Sequence, residues 1–166
     1  LMVAHAIPED IRLYEPGELA SAALEAFEHF QRREAGAHKI RIANPDITVR
    51  GEYGWQSAVT VVEIVNDNMP FLVDSVMGEL QDRGLDIHLV LHPVLQVKRD
   101  GEGRLIGPVA PGVRGEEASE GHKESLIHIH IDRIEQDALR EEIGAALSGA
   151  LDAVRRPVPD YPRMLR

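Results

Sequence analysis

The chain has 166 residues, a length typical of one domain with a single core. Its 18 basic and 28 acidic residues give a formal charge of −10, which repels phosphate backbones and argues against a nucleic-acid partner. The chain has no cysteine, which excludes disulfides and thiolate chemistry. No apolar run reaches the roughly 18 residues of a membrane helix. We therefore expect a cytoplasmic protein with no membrane partner.

The first predicted element is an amphipathic helix over residues 16–35, and it belongs to an N-terminal helical extension, residues 1–37. Its apolar residues recur at helical spacing and are Leu19, Ala23, Ala26, Phe27 and Phe30. Its other face is predicted to carry the charged residues Glu18, Glu25, Glu28, Arg32 and Arg33. Gly36 is expected to end the helix.

Strand patterns follow this helix. Alternating residues 39–42 and 47–49 are separated by Pro45, and a turn with Gly51 and Gly54 precedes the β-branched run 58–65. Asn66, Asp67 and Asn68 are predicted to cap a helix that runs to Gly84. The apolar stripe of that helix is Leu72, Val73, Val76, Met77 and Leu80.

The second half of the chain repeats strand and helix patterns. Residues 86–98 predict one long strand or two short ones, because Pro93 interrupts the run. Residues 100–123 are rich in glycine and charge, and we expect a mobile loop. Alternation over 124–132 predicts a strand, and apolar residues from 139 to 154 predict a helix. Residues 155–166 are interpreted as a linker within a longer polypeptide.

The order of these elements predicts an α+β fold, a ferredoxin-like plait with two helices on one face of an antiparallel sheet. The plait would span residues 38–154. Its last strand is missing after the final helix, and the segment 39–49 is close enough along the chain to fill that edge instead. The sheet is thus predicted to be completed by a strand at the N-terminal end of this domain, in place of one after the final helix.

Four histidines form a separate candidate site, because strand alternation suggests that they share the sheet face away from the two helices. They are His88, His92, His128 and His130. Such a cluster is compatible with a metal site or with pH sensing. Packing against another domain is the alternative, and no metal is favoured.

Three ordered segments resemble the N-terminal region of the large bacterial NAD-dependent glutamate dehydrogenases. They are residues 61–76, which include Asn66-Asp67-Asn68-Met69-Pro70-Phe71-Leu72, residues 84–94, which include His88-Leu89-Val90-Leu91-His92-Pro93, and residues 124–133. The resemblance implies a parent enzyme that converts glutamate and NAD to 2-oxoglutarate, ammonium and NADH on a domain elsewhere. The resemblance thus implies that the catalytic residues lie outside this chain. Since the chain has no G-x-G-x-x-G motif, we expect no cofactor site in it.

The same region is similar to ACT domains, whose strand-to-helix turn binds a free amino acid. The resemblance assigns an effector site to Asn66, Asp67, Asn68, Met69, Pro70, Phe71 and Leu72. Helical N–H groups suit a carboxylate, and a side-chain oxygen of Asn66 or Asp67 suits an ammonium group. Phe71 stands where the ACT pattern has glycine, which would leave less room for a ligand.

Three hypotheses follow. The chain is an ACT-like regulatory domain that binds an amino acid and contacts other domains and subunits of the parent. Alternatively, it is a structural interdomain or dimerisation module in which residues 66–68 only cap a helix and Phe71 and Leu72 only pack. The third hypothesis is a metal or pH sensor that uses the four histidines.

Overall fold

The computed structural model describes residues 14–46, 57–107, 110–111 and 121–156. Three helices and six strands lie in these ranges. In chain order they are α1 (Pro16–Phe30), β1 (Lys39–Ala43), β2 (Val59–Asp67), α2 (Leu72–Asp82), β3 (Ile87–Leu91), β4 (Val94–Val97), β5 (Ala110–Pro111), β6 (His122–Asp132) and α3 (Asp137–Arg155). No helix in the described ranges is long and apolar enough to cross a membrane.

The strands form one antiparallel sheet in the order β1-β2-β6-β4-β5. β3 also pairs with β6, so that β3 and β4 lie along successive parts of the same partner, on either side of the break at Pro93. β1 pairs with β2, with Lys39 opposite Val65. This confirms that a strand from the segment 39–49 completes the edge of the sheet. The predicted strand 47–49 and the turn at Gly51 and Gly54 lie outside the described residues.

One face of the sheet packs against α2 and α3 through a continuous apolar core. The alternating positions of β2 and β6 supply Val62, Ile64, Ile127, Ile129 and Ile131, and the helices supply Leu72, Val76, Leu80, Ile143, Leu147 and Leu151. Strand side chains alternate between faces while helical side chains repeat every three or four residues, so both stripes meet in one layer. The predicted arrangement of two helices on one face is confirmed.

The other face of the sheet is covered by α1. Ala26 and Phe30 pack against Val65 and Leu126 on that face, and the helix ends at Phe30 rather than near residue 35. The predicted division of its faces is partly wrong, because Phe27 is exposed whereas Glu18 is buried. Glu18 accepts a hydrogen bond from the backbone N–H of Ser57. Burial of this carboxylate depends on a partner that helical periodicity does not reveal.

The start of the predicted mobile loop is attached to the segment after α1. The backbone N–H of Arg33 donates to the carbonyl of Gly103. Gly103 has φ +77°, and a Cβ there would lie 2.2 Å from the Arg33 carbonyl oxygen, so only glycine permits this approach. Residues 110–111 form the short strand β5. Parts of the segment 100–123 are thus paired with neighbouring segments, and residues 108–109 and 112–120 lie outside the described ranges.

Candidate functional site

The predicted effector turn joins the end of β2 to the start of α2. The N–H of Asn68 donates to the carbonyl of Lys123 at 2.9 Å, and its Oδ1 accepts from the Ser125 hydroxyl at 2.9 Å. These two bonds anchor the turn to β6. Met69 packs against the helix-side core, Leu72 is buried in it, and Pro70 is exposed.

Helix α2 starts without a side-chain cap in the described part of the chain. Its N-cap residue is Phe71, so the prediction that Asn66, Asp67 and Asn68 cap this helix is wrong. Phe71 has φ 64° and ψ 7°, a left-handed conformation that favours glycine, and its side chain is 63% exposed. The phenyl ring thus extends into solvent, while the backbone adopts a conformation that favours glycine, the residue that the ACT pattern has at this position. The first N–H groups of α2 have no partner within the helix.

Asn66 and Asp67 instead make contacts with arginines from two distant segments. Arg33, after α1, places Nη2 2.6 Å from Asp67 Oδ1. Arg155, the last residue of α3, donates through Nη2 to Asn66 Oδ1 and lies 3.7 Å from Asp67 Oδ2. The end of β2 is therefore held between the segment after α1 and the end of α3.

Glu124 is the centre of a buried ion-pair cluster beside this turn. Arg33 and Arg99 both donate to its carboxylate, at 2.7–2.8 Å, and His122 Nε2 lies 2.7 Å from Oε1. Burial alone would raise the pKa of Glu124, but hydrogen bonds from Arg99 and Arg33 lower that pKa to about 2. Arg99 also donates to the carbonyl of Phe30, which ties the cluster to the C-terminal end of α1.

Asp67, His122 and Glu124 form the one group in the described residues whose geometry suits a metal ion, with ligand atoms within 4.8 Å of one another. However, Arg33 Nη2 lies within hydrogen-bond distance of both carboxylates. The guanidinium therefore neutralises the charge that would attract a cation. The geometry favours an ion-pair cluster over a metal centre.

The four predicted histidines do not share one face. A register shift between Ile87 and Leu89 places Leu89 opposite His130 and Leu91 opposite His128. That shift reverses the alternation assumed from the sequence, since a bulge adds one residue to a strand. His88 instead contacts Asp132 at 2.6 Å. His92 is half-buried, and burial lowers its pKa.

His128 and His130 do face α1, and both are fully buried. His128 Nδ1 lies 3.1 Å from Glu63 Oε1, and its Nε2 lies 2.8 Å from His130 Nε2. Burial and the neighbouring His128 lower the pKa of His130 to about 3. Arg41 contacts the other oxygen of Glu63. The result is a second buried polar cluster beneath α1, with His130 held neutral.

Sequence reasoning missed the arginines and glutamates that organise this face. Glu63 and Glu124 stand in the apolar strand runs, and each is buried. A charged residue inside such a run is a signal for a buried ion pair, because an unpaired charge is too costly to bury. Nothing in the local sequence, however, identifies Arg33 and Arg99 as the partners of Glu124, or Arg41 as the partner of Glu63.

The fold is an ACT-like α+β plait with one added helix, and comparison with known proteins agrees. The family described as "Glutamate dehydrogenase, ACT1 domain" matches residues 1–147, and the chain belongs to that family. No solved structure matches it.

Two curated relatives carry the name NAD-specific glutamate dehydrogenase. The Halomonas elongata protein is 39% identical over 160 residues, which is 96% of this chain and 10% of that protein. The Pseudomonas aeruginosa protein is 34% identical over 147 residues, which is 89% of this chain and 9% of that protein. The chain thus spans about a tenth of the relatives that it matches.

Proposed function

We propose that this chain is a regulatory domain of an NAD-dependent glutamate dehydrogenase and that it binds a free amino acid at the β2–α2 turn. The parent enzyme would oxidise glutamate to 2-oxoglutarate and ammonium with NAD bound to a catalytic domain outside this chain. Family membership and the names of the relatives support the parent activity. The binding role depends on the geometry of the turn.

The uncapped start of α2 is the observation that carries the binding proposal. Free N–H groups and the positive end of the helix dipole favour a carboxylate at this point. Asp67 Oδ2 is 3.7 Å from Arg155, and the Asp67 side chain is 38% exposed. That oxygen is placed to accept a hydrogen bond from the ammonium group of the same ligand. A zwitterion therefore matches both ends of the turn.

Regulation requires that the effector bind two states of the parent with different affinity. The turn contacts Arg33 on one side and Arg155 on the other. A ligand that competes for these contacts would change how α1 and the end of α3 are held. Other domains and subunits of the parent are the expected partners of these segments.

A thermal-shift screen of the chain against the twenty common amino acids and zinc chloride tests the proposal. A ligand that prefers the folded state raises the melting temperature. We expect one or a few amino acids to raise it, and the increase to be lost in Asp67→Asn. Asp82→Asn, an exposed carboxylate at the other end of α2, is the matched control and should keep the increase. No increase with any amino acid at millimolar concentration would contradict the proposal.

A structural docking module is the second candidate, favoured by the exposed side chain of Phe71. Leu24 and Phe27 on the outer surface of α1 are also exposed. Sedimentation of the wild type, Phe71→Ser and Phe27→Ser would test it. Self-association that is lost in either variant, without any amino-acid effect, would favour docking over sensing.

Stabilisation by zinc that is lost in His128→Asn would instead support a metal sensor.

A further inference from the structure

Two buried donors meet at one end of the sheet without an acceptor. The Asn66 side chain is fully buried, and its Oδ1 accepts from Arg155 Nη2. This bond assigns the amide oxygen to the acceptor position, so that Nδ2 remains as a donor. Neither Asn66 Nδ2 nor Arg155 Nε has a hydrogen-bond partner among the described residues. Buried polar groups in folded proteins are rarely left in this state, so an acceptor from another molecule or segment is indicated.

The topology places the positive end of α2 beside these donors. β2 ends and β6 begins at the same end of the sheet, since Asn66 pairs with Ser125. α2 starts shortly after β2, and α3 returns to this end, where Arg155 contacts Asn66. The N-terminus of α2, the Asn66 amide and the Arg155 guanidinium all present donors or positive charge there. An anion is the complementary ligand.

The charge of Arg155 is only partly used within the described chain. Asp67 is held closely by Arg33, at 2.6 Å, while its distance to Arg155 is 3.7 Å. Arg33 is therefore the nearer of the two cations to Asp67, and Arg155 is not closely paired with this carboxylate. The guanidinium carries five N–H donors, and the one on Nε has no acceptor among the described residues.

We propose that Asn66 and Arg155 form a carboxylate-binding subsite, in which one carboxylate accepts from Asn66 Nδ2 and Arg155 Nε together. If the proposed function is correct, the ligand is the α-carboxylate of the free amino acid. Asn66 and Arg155 are then the residues that select an acid over an amine. Since Arg155 ends α3, the same contact connects effector binding to the chain that follows the domain.

Nuclear magnetic resonance observes both donors directly. In the ¹⁵N-labelled chain, titration with sodium formate should shift the Asn66 side-chain amide and the Arg155 Nε–H resonances saturably. Sodium chloride at equal ionic strength should not. Formate carries the carboxylate alone, so this result does not depend on which amino acid is the effector. The absence of a saturable shift at these two groups would overturn the inference.

Two variants and one control separate a binding role from a structural one. Asn66→Asp keeps the shape but replaces the amide donor by an acceptor, and Arg155→Lys keeps the charge but removes Nε. Both variants should abolish the saturable resonance shifts caused by formate. If Asn66→Asp does not fold because its new carboxylate is buried, Arg155→Lys still tests the subsite. Arg156→Lys, at the exposed neighbouring position, should leave the response unchanged. A response that survives in a folded Asn66→Asp or Arg155→Lys variant would contradict the subsite.

The outcomes for the two proposals are distinguishable. If formate binds at Asn66 and Arg155 but no amino acid stabilises the chain, the subsite stands and the amino-acid sensor fails. The occupant would then be a carboxylate from elsewhere in the parent polypeptide. If an amino acid stabilises the wild type and the Arg155→Lys variant equally, the sensor stands and the subsite is overturned.

Discussion

The two faces of the central sheet are built from the same strands but bury different kinds of side chain. Towards α2 and α3, β2 and β6 present aliphatic side chains such as Ile64 and Ile129. Towards α1, the same strands present Glu63, Glu124 and His128 among apolar residues. The first face is stabilised by the removal of apolar surface from water. The second is stable only if each buried charge keeps its partner.

This difference bears on what each face contributes. Aliphatic side chains pack with any neighbour of suitable shape, whereas Glu124 has its oxygens bonded to Arg33 and Arg99 in one arrangement. A buried ion pair adds little net stability compared with an apolar contact, but removal of one partner is costly. We infer that the polar face fixes where α1 docks, while the apolar face supplies most of the stability.

The largest expected effect is that of Glu124→Gln, which keeps the shape and removes the charge. Arg33 and Arg99 would stay buried without their shared anion, so we expect a loss of about 3–5 kcal/mol in the free energy of unfolding. Leu147→Ala on the apolar face is the comparison, with an expected loss of about 2–5 kcal/mol. Denaturant titration at neutral pH measures both.

The two variants should also loosen different parts of the chain. Glu124→Gln should weaken the docking of α1 and increase hydrogen exchange in Pro16–Phe30, whereas Leu147→Ala should act on the helix-side core. A loss below about 1 kcal/mol for Glu124→Gln would show that the cluster is not required for the fold.

A smaller effect is expected from pH, through the histidines beneath α1. Burial lowers the pKa of His29 from 6.5 to about 4, and that of His130 to about 3. Between the ordinary pKa of 6.5 and these lowered values, the histidines bind protons in the unfolded chain but not in the folded chain. The free energy of unfolding therefore falls as the pH falls below 6.5. The low pKa of Glu124 adds a loss in the same direction below pH 4.5.

His130→Leu tests this dependence. When the pH is lowered from 7 to 5, the free energy of unfolding of the wild type should fall by roughly 1–2 kcal/mol for each buried histidine with a lowered pKa. In His130→Leu, the fall should be smaller by the contribution of one histidine. His38→Gln, which replaces a histidine beside Ser148 on the other side of the sheet, should keep the wild-type slope. An unchanged slope in His130→Leu would contradict the assignment.

The smallest effect is expected at Phe71, which belongs to neither face. Its left-handed backbone is strained for any residue other than glycine, and the exposed ring contributes little burial. Phe71→Gly should therefore raise the free energy of unfolding by about 0.5–1 kcal/mol, after the larger backbone entropy of glycine is subtracted. Phe71→Ala is the control, since it removes the ring and keeps the strain, and it should give no increase. Equal effects of the two variants would show that the backbone is not strained.

Much of the apolar face was predictable from the sequence. Alternation in β2 and β6 and helical spacing in α2 and α3 are local patterns, and they predicted the elements, the plait and the layer that the isoleucines occupy. The strand at the sheet edge followed from topology alone, since a plait without its last strand needs a replacement. The assignment of an effector site to the β2–α2 turn came from the family resemblance and stays a prediction.

The polar face and the details of the turn were not predictable, because they depend on contacts between distant residues. Arg33 and Glu124 are 91 positions apart, and Asn66 and Arg155 are 89 apart. One register shift in β3 was enough to separate His88 and His92 from the other two histidines. Asn66, Asp67 and Asn68 have the composition of a helix cap, but they pair with arginines and with Ser125, and the helix starts after Phe71.

Backbone amide resonances show whether an amino acid binds at the β2–α2 turn when the chain is titrated with the amino acid that stabilises it most. We expect the N–H resonances of Leu72, Val73 and Asp74 to shift together and saturate, because the ligand carboxylate binds at the start of α2. Shifts confined to another place, such as the groove lined by His38, Arg140 and Ser148, or no saturable shift at all, would contradict it.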